Sequence, residues 1–454
     1  MALEVVILAA GKGSRMKSSL PKVLHKLAGI SLVRRVVNTA TELHSNKTHI
    51  VYGHAGEQIK NVFDGDAINL VEQLEQKGTG HAVSTVLPSL DVKCKILILY
   101  GDVPLLSAIT LNKLISESDS GLSLLTVNLD NPYGYGRIIR DIDNCVRAIV
   151  EHKDANENQR KVKEVNTGIM CVSGELLAKW LPQLSTENSQ GEYYLTDIVA
   201  MAEEEGIDIA TVQPEFSYEV EGVNNRKQLV KLERIYQQVQ ADELMAAGVS
   251  IMDPQRFDLR GSLEAGMDVC IDINVVIEGE VKIGEGTSIG PNCIIKNSSI
   301  GRNVEILANS IIEDSVIDDD CMVGPFARLR PLTHLMTGAK VGNFVETKKT
   351  TVGSGSKINH LSYIGDTIIG EKANIGAGTI TCNYDGVNKF VTQIGDGAFI
   401  GSNTSLIAPV VIGENATTGA GSAIHKDIPA SSLGVARGKQ RNIDTWQRPV
   451  KADK

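Results

Sequence analysis

From Val269 onward the chain repeats every six residues, and no other feature restricts its fold as tightly. Ile271, Ile277, Ile283, Ile289 and Ile295 share one frame, with Val269, Val275, Val281, Thr287 and Cys293 two residues earlier. Slightly shifted, Ile300, Ile306 and Ile312 continue it. Val352, Ile358 and Ile364 form another run, and Ile394, Ile400, Leu406, Ile412, Thr418 and Ile424 a last one. Thr392, Ala398, Thr404, Val410, Ala416 and Ser422 precede these last six by two residues, and all are small or β-branched. An α-helix turns once in about 3.6 residues, so a strict period of six would smear the isoleucines around its axis. A coil of short strands accommodates the period. Each hexapeptide forms one flat side, the isoleucine points inward and the small neighbour fits the corner, which is the sequence form of a parallel β-helix.

The frame breaks at Pro325–Val341 and again at Thr381–Val391. Segments that leave a solenoid's period are expected as loops pushed out of the wall, where function concentrates. Beyond Asp427 the repeat gives way to a tail carrying Arg437, Lys439, Arg441, Arg448, Lys451 and Lys454. The first half reads differently. Val5–Leu8, His49–Tyr52, Ile68–Val71, Ile96–Tyr100 and Leu122–Val127 are strand-like, and Leu32–Leu43 and Leu111–Ser116 lie between them at helical spacing. That alternation predicts an α/β domain with a mostly parallel sheet, Rossmann-like, binding its ligand at the carboxyl ends of the strands. Leu229, Leu232, Ile235, Val239 and Leu244 then recur at helical spacing before Gly248, a natural stop. The expected domains are residues 1–226, a helical linker 227–248, and a β-helix with its tail over 249–454.

A net charge of −10 argues against a nucleic-acid partner, because no basic excess is available for a phosphate backbone. No apolar run reaches the roughly 18 residues of a membrane span. The start, Glu4–Ala10, is strand-like rather than a signal peptide, and seven cysteines without a CxxC pair suggest reduced thiols. A cytoplasmic protein without membrane partners is the expectation. One local asymmetry points to a ligand. Between Val5 and Thr41 no acidic residue occurs, while Lys12, Arg15, Lys17, Lys22, Lys26, Arg34 and Arg35 all do. A solvated helix face accounts for Arg34 and Arg35; the glycine-flanked Lys12 and Arg15 fit an anion site better. In LAAGKGSRMKSSLPK, Leu8 to Lys22, Gly11 and Gly13 would let backbone amides approach phosphate oxygens, and a helix N-terminus after them would add partial positive charge. Asp102 ends the strand Ile96–Tyr100, where its carboxylate either caps the turn before Pro104 or reaches a metal on bound phosphates.

That string resembles the signature of sugar-phosphate nucleotidyltransferases, and Gln73, Gly78-Thr79-Gly80-His81-Ala82 and Tyr100-Gly101-Asp102 follow in that family's order. Gly134-Tyr135-Gly136-Arg137, IVEHKD with Glu151, EVNTG with Asn166, GEYYLTD at 191–197 and EVEGVNN at 219–225 narrow the likeness. They resemble the bifunctional bacterial enzymes that join an N-acetylglucosamine-1-phosphate uridyltransferase to a glucosamine-1-phosphate acetyltransferase. The likeness covers nearly the whole chain. It implies that Leu8, Ala9, Ala10, Gly11, Arg15, Lys22, Gln73, Gly78, Thr79, Tyr100 and Gly101 hold UTP, and that Gly136, Glu151 and Asn166 hold the N-acetylated sugar. It also implies that Asp102 and Asn224 bind Mg2+.

In the second half, KINHLSYIGD and NIGAGTITCNYDG resemble the acetyltransferase site of the same family. A lone histidine is more often solvent-facing than catalytic; here the resemblance makes His360 the base. It gives Arg330 and Lys348 to the sugar phosphate, Tyr363 and Asn374 to the sugar, and Ala377, Asn383, Tyr384, Ser402, Ala420 and Arg437 to acetyl-CoA. Lys389 is a further candidate ligand contact. Two stretches depart from the family pattern: Leu332 follows Arg-Pro where glycine is usual, and His425-Lys426 occupies a usually different position. Hexapeptide-repeat acyltransferases of this kind have left-handed β-helices and form homotrimers, with each acetyl site between subunits. The basic tail would then reach a neighbour's cofactor, or simply fray. The implied function is acetylation of glucosamine-1-phosphate followed by uridylyl transfer. The alternative is a single-activity nucleotidyltransferase whose β-helix serves regulation or trimerisation.

Overall fold

Leu3–Ala9 (β1) and Lys95–Tyr100 (β4) are nearly unbroken aliphatic runs, as befits strands covered on both faces. They lie side by side in a computed structural model that describes residues 2–11, 13–53, 56–449 and 451. Lys12 and Lys454, named above, lie outside the described residues. The chain divides into two compact units, Met1–Tyr236 and Gln237–Lys454. The division falls inside the helix Arg226–Ala246, and Gly248, at φ +99°, follows that helix.

The first unit is built on one sheet. With β2 Lys47–Tyr52, β3 Ile68–Glu72, β5 Leu122–Asn128, β8 Glu164–Ser173 and β9 Ile209–Val212, its order is β9-β5-β8-β4-β1-β2-β3. Only β8 runs antiparallel to its neighbours, and the hairpin of β6 Arg137–Arg140 and β7 Val146–Val150 joins at its edge. Val5, Ile7, Leu97 and Leu99 face Val33, Val36, Val37 and Ala40 of the helix Leu32–Glu42. Val6, Leu8, Ile96 and Ile98 face Val83 and Val86 of the helix Thr79–Val86, with Leu177 and Trp180. Burying each such side chain stabilises the fold by roughly 1.5–3 kcal/mol. The sheet aligns the ends of β1 and β4, and the Gly101 amide donates to the Leu8 carbonyl at 2.9 Å.

The second unit is a β-helix of parallel strands, left-handed in type, stacked in register. Ile271, Ile289, Ile306, Val323, Val341, Ile358, Ile375 and Ile400 pair successively and are all buried. Ile289 pairs with Ile306 and Val323 with Val341, so a coil takes 17 or 18 residues. Many corners are left-handed and filled by Asn or Asp, which tolerate positive φ, and these side chains bond in ladders. The Asn297 amide donating to Asp314 at 3.1 Å is one rung.

Two expectations about this wall are corrected. The stretch Pro325–Val341 is no extruded loop: Arg328–Leu329, Thr333–Leu335 and Lys340–Asn343 are wall strands, and Leu329, Leu335 and Val341 fill the inward position. Any branched aliphatic fits there, and an isoleucine-only frame hid the continuation. Nor does the coil stop at Asp427, because Thr417–Thr418 pairs with Leu433–Gly434. The second break is an excursion. Thr381 remains in the wall strand Ile380–Cys382, and the chain leaves it at Asn383.

Candidate active sites

A cavity of about 340 Å³ opens where β1 and β4 end, lined by Leu8, Ala9, Ala10, Gly11, Lys22, Gln73, Gly78, Thr79, Tyr100 and Asp102. Glu192 and Gln76 also line it. Sequence reasoning did not single these two out, although Glu192 sits within the GEYYLTD motif. A Cβ on Gly11 would meet nothing within 4 Å, leaving room for a ligand beside its backbone. Gly13 has φ +61°, and a Cβ there would stand 2.6 Å from that of Lys22, so only glycine lets the loop fold back on itself. The helix expected after these glycines is absent. A single 3-10 turn, Ser14–Met16, ends at Lys17 with φ +48°, and the positive charge at this loop comes from Arg15 and Lys22. Gln73, buried, donates to the Gly78 carbonyl at 3.3 Å and bonds the His81 ring at 3.0 Å, fixing the second glycine loop.

Arg15, Lys22, Asp102 and Asn224 converge from distant parts of the chain. The Lys22 ammonium donates to the Asp102 carboxylate and, at 3.3 Å, to the Asn224 amide oxygen, which also accepts from Arg15 at 2.8 Å. The Val223 amide, donating to the Asp102 carbonyl at 2.8 Å, holds Asn224 there. Two oxygen donors thus meet around one cation, a donor set that suits magnesium.

Behind Tyr100 lies a second group. Gly168, at φ +84°, leaves space for the Tyr100 ring, and its amide donates to the Asn166 side chain at 3.0 Å. The Asn166 amide donates to the Gly136 carbonyl at 2.9 Å, and Glu151 lies across from Gly136, where a Cβ would come within 3.2 Å of its oxygen. Burial pushes the Glu151 carboxyl up from its ordinary value, opposed by a hydrogen bond from Thr196 at 3.4 Å. Burial and the Asp102 and Glu151 charges push the Tyr100 phenol up. Gly136, Glu151 and Asn166 are therefore together, beside the cavity that Tyr100 and Asp102 line, whereas Gly101, expected there, packs against Ala9, Val23 and Val33 instead.

On the β-helix, the paired residues Lys340, Lys357, Asn374, Phe399 and Thr417 mark one line through successive coils. Three residues beyond each stand Asn343, His360, Ala377, Ser402 and Ala420, which share one station along a corner. The Arg437 guanidinium donates to the Ala420 carbonyl at 3.0 Å, bringing the tail to the same column. His360 is exposed, and its Nδ1 lies 2.8 Å from the Asn343 Oδ1.

Arg330 donates to Glu346 at 2.7 Å, and Glu346 pairs with Tyr363 on the next coil, where Lys348 pairs with Gly365. A Cβ on Gly365 would come within 2.6 Å of the Tyr363 hydroxyl and 3.0 Å of the Asn383 amide, so only glycine leaves room for both. Asn383, buried, donates to Asp366 at 2.5 Å. Tyr384 and Lys389 bridge the excursion, and Cys382 is half-buried in the wall below it. Leu332 takes φ +63° at an exposed corner, so its departure from glycine leaves a bulky residue in left-handed backbone without moving Arg330 out of register. Phe326, Phe344 and Leu361, also at positive φ, are exposed on successive coils beside His360, and the two phenyl rings stack at 5.3 Å. Sequence reasoning missed Asn343, Glu346, Asp366 and Gly168; Asp366 and Gly168 close the quoted KINHLSYIGD and EVNTG motifs, whereas nothing local marked Asn343 or Glu346.

The arrangement matches known proteins over its full length. Residues 5–151 match the MobA-like NTP transferase domain, residues 261–342 the GMPPB C-terminal domain, and residues 392–426 the bacterial transferase hexapeptide (six repeats). A relative in Idiomarina loihiensis, named bifunctional protein GlmU, is 59% identical over 99% of each chain. Proteins of that name in Cellvibrio japonicus and Marinobacter nauticus are 57% and 56% identical, again over 99% of each chain.

Proposed function

The chain belongs to the family of bifunctional GlmU proteins, and on that premise we propose a reaction path through its two sites. It is an enzyme of two activities: acetyl transfer from acetyl-CoA to glucosamine-1-phosphate, then uridylyl transfer from UTP to N-acetylglucosamine-1-phosphate. One observation carries the assignment of the second activity to the β-helix. His360, Ala377, Ser402 and Ala420 occupy one corner column that Arg437 joins, with the Arg330–Glu346–Tyr363 group on the neighbouring side.

In acetyl transfer, Arg330 and Lys348 bind the sugar phosphate, and Tyr363 and Asn374 orient the sugar. The Asn343 oxygen accepts from His360 Nδ1, which leaves the Nε2 lone pair as the base. The free amine is the nucleophile: as its lone pair adds to the thioester carbonyl, Nε2 takes a proton from the nitrogen, and when the C–S bond breaks that proton passes to the sulfur, so that coenzyme A leaves as the thiol. Ala377, Asn383, Tyr384, Ser402, Ala420 and Arg437 line the cofactor's path, with Lys389 at its edge. The exposed, strained Phe326, Phe344 and Leu361 beside this column support burial against another copy of the chain, and a homotrimer is the assembly proposed.

In uridylyl transfer, a phosphate oxygen of the N-acetylated sugar attacks the α-phosphorus of UTP and pyrophosphate leaves. The nucleophile is already largely dianionic near neutral pH, since its second pKa is about 6, so no base is needed. The Leu8–Gly11 and Gly78–Thr79 backbones cradle the nucleotide, while Arg15 and Lys22 neutralise the triphosphate. Gly136, Glu151 and Asn166 hold the sugar. Asp102 and Asn224 are the residues to hold Mg2+, which when bound would neutralise charge on the triphosphate. Among the described residues no helix is long and apolar enough to cross a membrane, and a cytoplasmic location is proposed.

Incubation with glucosamine-1-phosphate, acetyl-CoA, UTP and Mg2+ should release thiol and pyrophosphate in equal amounts. His360→Ala should abolish thiol release and still liberate pyrophosphate from UTP and N-acetylglucosamine-1-phosphate. If both activities survive that change, the β-helix is only a scaffold.

A further inference from the structure

Arg137 is 1% exposed and, among the described residues, has no carboxylate partner. Its Nη1 donates to the Tyr135 carbonyl, and its Nη2 reaches His152 Nδ1 at 3.4 Å and the Arg160 carbonyl at 3.5 Å. Its Nε is buried and has no hydrogen-bond partner among the described residues. Burial and the neighbouring Arg160 charge push its pKa down. A buried cation without a counter-charge is costly, and an apolar side chain of similar volume would fill the same space more stably. The guanidinium does something an apolar group cannot. Tyr135 and Gly136 form one wall of the group around Glu151, and His152 follows Glu151 on the other. Tyr135 itself is 37% exposed, and partial burial with the Glu221 and Asp102 charges pushes its phenol up. Glu151 lies against Gly136.

We propose that Arg137 is a positioning residue, a fork that locks the Tyr135–Gly136 wall to the Glu151–His152 wall and so sets the width of the sugar pocket. The assignment rests on the uridylyl-transfer reading above. The planar fork matters as much as the charge, because a lysine ammonium is a rotatable point charge whose donors all leave one atom, without the guanidinium's rigid spread.

The test uses the full-length enzyme and its two activities. Arg137→Met should raise the KM for N-acetylglucosamine-1-phosphate about tenfold, the worth of one charged hydrogen bond. The KM for UTP should stay within about twofold, as should acetyl transfer, which serves as the internal control. Arg137→Lys should recover only part of the loss. His152→Ala, which leaves the guanidinium in place, should raise the same KM by a smaller factor and decides the matter if Arg137→Met fails to fold. Unchanged sugar KM in Arg137→Lys and His152→Ala overturns the assignment, as does an equal rise in both KM values. Failure of the wild-type enzyme to release pyrophosphate from UTP and N-acetylglucosamine-1-phosphate would instead overturn the reaction itself.

Discussion

Gly168→Ala tests how closely Tyr100 must be placed. The glycine sits at φ +84°, where an L-residue costs about 1–2 kcal/mol, and its new Cβ would stand 2.6 Å from the Tyr100 ring and 2.8 Å from its hydroxyl. Ordinary contact begins near 3.4 Å, so the ring must retreat by about 1 Å, and the free space for that is the nucleotide cavity it lines. Forcing the ring off its rotamer adds about 0.5–1.5 kcal/mol, for a total stability loss of about 1.5–3.5 kcal/mol in the first unit. A misplacement of about 1 Å can cost about 100-fold in rate. The variant should therefore lose about two orders of magnitude in kcat/KM for uridylyl transfer while acetyl transfer is unchanged. Pyrophosphate and free thiol followed in one preparation, with a thermal scan, give all three quantities. Uridylyl transfer within twofold of wild type would refute the claim that this ring is a position-sensitive wall.

Asp102→Ala should abolish magnesium-dependent pyrophosphate release and leave thiol release intact; restored pyrophosphate release at high magnesium would point to other ligands. Leu329→Ala should destabilise the β-helix by about 2–5 kcal/mol in denaturant unfolding, because Leu329 is fully buried in the wall. A loss below about 0.5 kcal/mol would return this stretch to a surface loop. The first unit should also weaken in mild acid. His49 is buried between Glu4 and Asn69, and burial pushes its pKa below the ordinary value near 6.5 despite the opposing bond to Glu4. The unfolded chain therefore binds the proton more readily, so stability is full above pH 6.5 and falls as pH drops below it. His49→Gln should flatten that slope in unfolding midpoints measured from pH 7.5 to 5.5; an unchanged slope would exonerate this histidine.

The isoleucine ladder was legible because its period is incompatible with any helix, and the sheet strands because their aliphatic runs are uninterrupted. Leu329, Leu335 and Val341 escaped notice since the inward position selects shape rather than one residue type. The glycine loop suggested a helix because glycines after a strand that approach phosphate commonly lead into a helix N-terminus; left-handed Lys17 instead closes it after one turn. Motif residues were readable one at a time, but their meeting was not. Nothing local tells that Asn224 returns to Lys22 and Arg15, which depends on the Val223–Asp102 backbone bond. Likewise, the shared corner of His360, Ala377 and Ser402 emerges only from coil length, since the excursion puts 25 residues between the last two and 17 between the first two.

That excursion is invisible to the strands above and below it. Ile375 pairs with Ile400 just as Ile358 pairs with Ile375, although the coil between the first two carries eight additional residues. Doubling a flexible segment's length costs only about 0.6 kcal/mol in closure entropy. Evolution or an engineer can therefore lengthen, shorten or recompose residues 384–389 while buried Asn383, tied to Asp366, anchors the excursion and the masonry beneath folds as before.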